Sequence, residues 1–96
     1  MPRNEDTVFV GTKPLDSYVM AVVMQFNQSN SDTVTLKARG RAISRAVDVA
    51  EVFSKRIMQG QVVIESIKTG TEQITTREGQ RMNVSVIEIT LKKSNV

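Results

Sequence analysis

The sequence predicts a two-layer α/β fold, in which a mixed four-stranded sheet carries two helices on one face and extends into a β-hairpin arm. Two segments repeat apolar residues at helical spacing, and β-branched segments lie before and between them. The last third of the chain indicates two strands joined by a turn. The expected order is therefore β-α-β-α-β-β, within a single domain of 96 residues.

The first strand and the first helix are predicted from the opening third of the chain. Residues 1–6 are polar and are expected to form a flexible tail, and residues 7–10 are β-rich and end at Gly11. Pro14 suits the first turn of a helix, which the polar residues 27–32 should end. The apolar face of this helix is predicted to comprise Leu15, Tyr18, Val19, Val22, Val23 and Phe26.

The remaining elements follow the same logic. Residues 33–38 alternate as a strand, Gly40 breaks it, and helical spacing continues from about residue 41 to 59, where Gly60 stops it. Residues 61–67 begin a third strand and residues 82–92 form a fourth. In the fourth, the apolar phase changes between Val86 and Ile87, which predicts a bulge or a strand buried on both faces. The core face of the second helix is predicted to comprise Ile43, Ala46, Val47, Ala50, Phe53, Ile57 and Met58.

Composition excludes several classes of function. The chain has no cysteine and no histidine, so disulfides, thiolate metal sites and the usual general base are absent. We expect no metal, no cofactor, no small-molecule substrate and no enzymatic activity. The polar start and the lack of a long apolar run predict an intracellular, cytoplasmic protein without membrane association. The formal charge of +3 is small, so the net charge alone does not indicate a partner. The positions of the cations along the chain are more informative.

The cations concentrate in a basic turn before the second helix. Gly40 lets the backbone approach a ligand closely, and the N–H groups at a helix start favour an anion. In a β-α-β-α unit the two helix starts lie at one end of the sheet, so the turn is expected beside Thr12 and Lys13. Together they predict a phosphate-facing surface; the alternative is a set of cations that merely keeps a small protein soluble. The basic turn contributes Lys37, Arg39, Arg41 and Arg45.

The stretch between strands three and four contains one apolar residue, Ile74, in the sequence TGTEQITTREGQR. Such a polar segment cannot bury one of its faces against the hydrophobic core. Its Thr and Gln residues nevertheless suit strands, and Glu78 with Gly79 suits a turn. Residues 69–82 are therefore predicted to form a protruding arm, lined by Lys68, Arg77 and Arg81 against Glu72 and Glu78. A two-stranded ribbon fits a nucleic-acid groove. The alternative is a disordered surface loop.

Apolar residues of the second helix also predict self-association. Val49 and Val52 fall outside the expected core arc, and extra apolar surface on an exposed face indicates a partner. The expected interface of a homodimer comprises Val49, Val52, Phe53 and Ile57. The alternative is scattered surface valines, which are common.

Two sequence blocks and several single positions point to a known family. Residues 37–44 read KARGRAIS and, after Arg45, residues 46–48 read AVD. The other matching positions are the residues VGTKP at 10–14, Tyr18, Val19, Gly70, Val84, Ser85, Ile87, Glu88 and Ile89. Through these residues, over about 8–92, the chain resembles the Alba family of small basic chromatin and RNA-binding proteins, and the block at residues 37–48 is the most specific match.

The resemblance implies a homodimer from an archaeal source that binds double-stranded DNA and RNA with little sequence preference. It implies backbone contacts by Lys13, Arg39 and Arg41, with Arg45 nearby, and minor-groove contacts by the arms. The candidates on the arm are Arg77 and Arg81.

Three positions depart from the family pattern. Thr12 replaces a lysine associated with acetylation, and Asn83 replaces an arginine of the arm. Ile57 stands where an aromatic residue helps dimers associate further along DNA.

The leading hypothesis is thus a chromosome-associated protein that coats and compacts DNA and also binds RNA. A second hypothesis is that RNA is the main ligand, within a ribonucleoprotein or an RNA-stabilising complex. A third is a protein-interaction module with a merely solvating basic turn.

Overall fold

Four strands form one mixed sheet, and two helices connect them. The structure, a computed structural model, describes residues 6–28, 32–57 and 60–94. The elements are β1 (Thr7–Phe9), α1 (Leu15–Gln28), β2 (Thr33–Arg39), α2 (Ile43–Val52), β3 (Val62–Thr75) and β4 (Arg81–Lys93). The spatial order of the strands is β1-β2-β4-β3; β1 pairs parallel to β2, whereas β4 pairs antiparallel to both β2 and β3. This arrangement confirms the predicted fold.

Both helices pack on the same face of the sheet and enclose the core with it. The predicted core face of α1 is confirmed at its four most buried positions. Phe26 of α1 stacks on Phe53 at the end of α2, with ring centroids 5.5 Å apart. The sheet contributes alternate residues to this core, namely Val34, Leu36 and Ala38 of β2 with Ile87, Ile89 and Leu91 of β4. We call the other side of the sheet the open face.

The second helical segment differs from the prediction in shape and in phase. It begins with a 3-10 turn at Gly40–Ala42 and ends in a π turn at Phe53–Ile57. Val49 is fully buried, so its expected exposure was wrong, while Val47 is 41% exposed and Ile57 49% exposed, so their expected core positions were wrong. The buried positions are spaced three and four residues apart, and the wider π turn then carries Ile57 out of phase. Met58 lies outside the described residues.

Of the two alternatives predicted near Val86, the bulge is wrong, and the strand is instead partly buried on both faces. The register of β4 is continuous there, and the shift occurs in β3, between Ile64 and Ser66. The apolar phase changes because Val86 is half-buried on the open face, whereas Ile87 faces the helices. A Cβ atom on Gly70 would lie 3.4 Å from Val86 Cγ2, so the valine fills the space beside the glycine.

The structure also differs from the prediction at the end of the N-terminal tail and at the start of the polar turn after the first helix. Asp6 is buried, so the tail cannot include it, and residues 1–5 lie outside the described residues. The oxygen Oδ1 of Asp6 has no hydrogen-bond partner in the described part of the chain. Residues 29–31 of the predicted polar turn lie outside the described ranges, and α1 continues to Gln28. Within the described ranges, no helix is both long and apolar enough to cross a membrane.

Candidate nucleic-acid interface

Two loops rich in exposed polar groups leave the sheet at one edge. Because β1 and β2 run parallel, their carboxyl ends meet there. The backbone N–H of Val10 donates to the carbonyl oxygen of Lys37 at 2.8 Å, which keeps the strands together to their ends. The loop after β1 and the turn after β2 are therefore neighbours, as the sequence predicted. We call this region the basic edge; its exposed side chains are Thr12, Lys13, Arg39 and Arg41.

The loop after β1 is held by the hydroxyl of Tyr18. The backbone N–H groups of Gly11 and Lys13 both donate to Tyr18 Oη, each at 2.9 Å. A Cβ atom on Gly11 would lie 3.2 Å from that oxygen, so this position is tight. Tyr18 itself is buried and its ring belongs to the core. The core residue therefore fixes the backbone that presents Lys13, a role that apolar periodicity did not reveal.

The turn after β2 changes direction at Gly40. Arg39 is extended, with φ −139° and ψ 153°, and Gly40 has φ 58°, a left-handed conformation that favours glycine. The helical segment starts at this turn, where Arg39 makes no side-chain capping bond, so no carboxylate or hydroxyl caps the first N–H groups. Arg41 is exposed within the turn, whereas Arg45 is half-buried on α2.

Two cations of this region face carboxylates across the open face. Lys37 Nζ lies 3.8 Å from Glu88 Oε1, and Arg39 Nη1 lies 3.9 Å from Glu72 Oε2. All four side chains are substantially exposed, and exposed pairs at such distances contribute little stability. Both cations are therefore free to exchange their partner for a phosphate.

The arm consists of paired strands up to a short turn. The pairing of β3 with β4 runs without a break from Ser66 and Thr90 to Thr75 and Arg81. Thr76 donates its N–H to the carbonyl of Gln80 at 2.8 Å and accepts from Gly79 N–H at 2.9 Å. The disordered-loop alternative is therefore wrong, and the exposed residues Arg77, Arg81 and Asn83 lie at or next to the tip.

The register gives the arm two chemically different faces, because directly paired residues of an antiparallel ribbon point to the same side. One face, which we call the polar face, carries hydrogen-bond donors and no acid. The other is mostly apolar and holds Glu72. The polar face comprises Thr71, Gln73, Thr75, Arg81, Asn83 and Ser85, and the apolar face Ile74, Met82, Val84 and Val86.

The residues predicted to form a dimer interface are divided by the structure. Val49 and Phe53 are fully buried in the core of their own chain, so they cannot contact a partner directly, and this part of the prediction was wrong. Val52 is half-buried and Ile57 exposed, so both remain available. Ile67 of β3 is 57% exposed and was missed, because the sequence alone does not show which strand lies at the sheet edge.

The described side chains offer no ready metal site. Among residues 6–28, 32–57 and 60–94, no group of three or more His, Cys, Asp or Glu could hold a metal ion.

The fold and the basic edge define a class: small two-layer α/β proteins with cationic loops at one sheet edge and a projecting β-ribbon. The family model Alba matches residues 6–71, and the chain belongs to the Alba family. A relative from Methanothrix thermoacetophila, described as DNA/RNA-binding protein Alba, is 56% identical over 89 residues, which is 93% of this chain and 97% of the relative.

Solved structures agree with this membership. Alba from Thermoplasma volcanium matches with a TM-score of 0.76 at 47% identity, covering 90% of this chain and 98% of the other. ALBA1 from Trypanosoma brucei matches with a TM-score of 0.74 at 25% identity, covering 98% of this chain and 74% of the other.

Proposed function

We propose that this protein binds double-stranded DNA with little sequence preference, coats and compacts it as a chromosome-associated protein, and also binds RNA. The observation that carries the proposal is the basic edge, where two adjacent loops present Lys13, Arg39 and Arg41 to solvent. Cations held on neighbouring loops match the spaced phosphates of a nucleic-acid backbone. The relative from Methanothrix thermoacetophila is named a DNA/RNA-binding protein, which supports both ligands.

Most of the binding free energy comes from counterions released when Lys and Arg neutralise phosphates. With about 6–10 phosphate contacts in a dimer, affinity falls about 10³–10⁵-fold between about 50 and 200 mM salt. Contacts to phosphate carry no sequence information directly, so specificity is low. Arg45 and Lys37 flank the basic edge and extend it.

The arm, residues 69–82, adds contacts in a minor groove through its polar face. Gln73 and Arg81 lie on that face, beside Asn83 at the end of the arm, with no acid among them. The floor of the minor groove presents mainly acceptors, which suit such donors. Arg77 in the tip turn reaches the flanking phosphates.

The protein acts as a homodimer that assembles further on DNA. Strand β3 lies at the edge of the sheet, where its outer backbone groups face no neighbouring strand among the described residues. Apolar surface for a partner is supplied by Ile67, which is exposed on this strand. It is also supplied by half-buried Val52 at the end of α2 and by exposed Ile57 in the π turn that follows. Sedimentation equilibrium at micromolar concentration should give twice the 10.7 kDa chain mass. A monomer would contradict the dimer.

Fluorescence anisotropy tests the function with two unrelated DNA duplexes and one structured RNA of equal length, at matched salt. We expect similar dissociation constants for the two duplexes. A strong preference for one duplex would contradict the backbone-contact account, and a large preference for the RNA would support the alternative that RNA is the main ligand. No binding to any of them would overturn the proposal and favour a protein-interaction module.

A further inference from the structure

A groove on the open face lies beside the basic edge and shares Lys37 and Arg39 with the function proposed above, which gives no role to the aromatic wall of the groove. It has a volume of about 430 Å³ and runs between the ends of β1 and β2 and the base of the arm. Phe9 forms one wall and is 69% exposed, the most exposed large apolar side chain among the described residues. The side chains that matter here are Phe9, Lys37, Arg39, Glu72, Val86 and Glu88.

The charges of the groove cancel. Lys37 faces Glu88 at 3.8 Å and Arg39 faces Glu72 at 3.9 Å, so two cations stand against two carboxylates. A phosphate entering the groove would meet both carboxylates as well as the cations. An uncharged, flat molecule with both donors and acceptors suits this lining better than an anion does.

An unpaired nucleobase has this chemistry. Bases that are splayed out of a helix stack on aromatic side chains and form hydrogen bonds along their exposed edges. Phe9 offers the ring, Glu72 and Glu88 accept from amino groups of a base, and Lys37 and Arg39 donate to its carbonyl or ring-nitrogen acceptors. The half-buried Val86 provides an apolar floor between them.

We propose that this groove binds a single unpaired nucleobase, stacked on Phe9, from a nucleic acid whose backbone lies on the basic edge. The inference rests on the proposed function, because it needs the phosphates at that edge. Arg39 belongs to both regions, so a strand held there brings its next nucleotide beside Phe9. A base within an intact duplex cannot leave its pair without cost, so the groove favours bulges and single-stranded ends.

The test compares a short RNA duplex that contains one bulged uridine with the fully paired duplex of the same sequence, using anisotropy at matched salt. Wild-type protein should bind the bulged duplex more tightly. Phe9→Ala should weaken binding to the bulged duplex by about 5- to 150-fold and leave the paired duplex unchanged. Phe9→Tyr, which keeps the ring, should retain the preference. Met20→Ala removes a similarly exposed side chain from α1 and serves as the matched control.

A second measurement locates the base. With 5-iodouridine at the bulge, irradiation should crosslink the base to the peptide that contains Phe9, as identified by mass spectrometry. Equal affinity for both duplexes in wild type and in Phe9→Ala, or a crosslink confined to other peptides, would overturn the inference while the proposed function stands. Failure of wild-type protein to bind either duplex would instead refute the proposed function itself.

Discussion

Arg39 Nη1 and Glu72 Oε2 lie 3.9 Å apart, and this ion pair joins the end of β2 to the base of the arm. In the proposed function, a backbone phosphate takes the place of Glu72 beside the arginine. Because the side chains are 62% and 55% exposed, the pair is weak, and a backbone phosphate can displace the carboxylate at small cost. The contact therefore adds little to the stability of the fold, and breaking it costs little when a phosphate binds.

Replacing Glu72 by glutamine should raise affinity for duplex DNA about two- to fivefold at low salt, because Arg39 no longer has to leave a carboxylate. Anisotropy titrations measure the effect. Glu51→Gln is the matched control, since it changes the net charge equally but removes a pair with Lys55 on the second helical segment. Equal gains in both variants would show that only net charge matters.

Tyr18→Phe should lower the free energy of unfolding by about 1–3 kcal/mol, because the N–H groups of Gly11 and Lys13 lose their shared acceptor. Urea denaturation measures the loss. Duplex binding should weaken as well, since the loop that carries Lys13 is no longer fixed. A variant with full stability and full affinity would show that water replaces the hydroxyl without consequence.

Val49→Ala should cost about 2 kcal/mol of unfolding free energy, because Val49 is fully buried between the helix and the sheet. Val47→Ala, two residues away and largely exposed, should change stability by less than about 0.5 kcal/mol. Thermal or urea unfolding of the pair distinguishes the two positions on one helix. If Val47→Ala lowered the unfolding free energy more than Val49→Ala, the core face predicted from the sequence would be correct.

The sequence was sufficient for the fold because apolar periodicity is strong where one face is buried, as the buried Tyr18, Val19, Val22 and Phe26 of α1 show. It failed on α2, where valines stand on both sides of the helix and periodicity alone gave the wrong phase. There Phe53 stacks on Phe26 in the core, on the side of the helix where Val49 is buried, and the π turn carries Ile57 out of phase.

Only part of the candidate site could be predicted from the sequence. Clustering of cations around Gly40 is local in sequence, so the basic turn was visible. The hydrogen bonds to Tyr18 Oη and the pair between Arg39 and Glu72 depend on loop geometry and strand register, which composition and periodicity do not contain. Phe9 gave no signal either, because a phenylalanine in a strand is ordinarily core.

Shortening the arm tests its role separately from that of the body. Replacing the tip, Thr76 to Gln80, by an Asn-Gly turn should keep the ribbon closed and the unfolding free energy nearly unchanged, because most of the tip is exposed. Duplex affinity should fall, since the tip and Arg77 are lost. A collapse of stability on urea denaturation would mean that the arm supports the core.

The central claim is that the basic edge neutralises nucleic-acid phosphates. The most direct measurement is the slope of the logarithm of duplex affinity against the logarithm of salt concentration, for wild type and for the combined variant Lys13→Gln, Arg39→Gln, Arg41→Gln. The account predicts a slope shallower by about 0.9 for each phosphate contact removed, together with weaker binding to every sequence. An unchanged slope and affinity in the triple variant would contradict it.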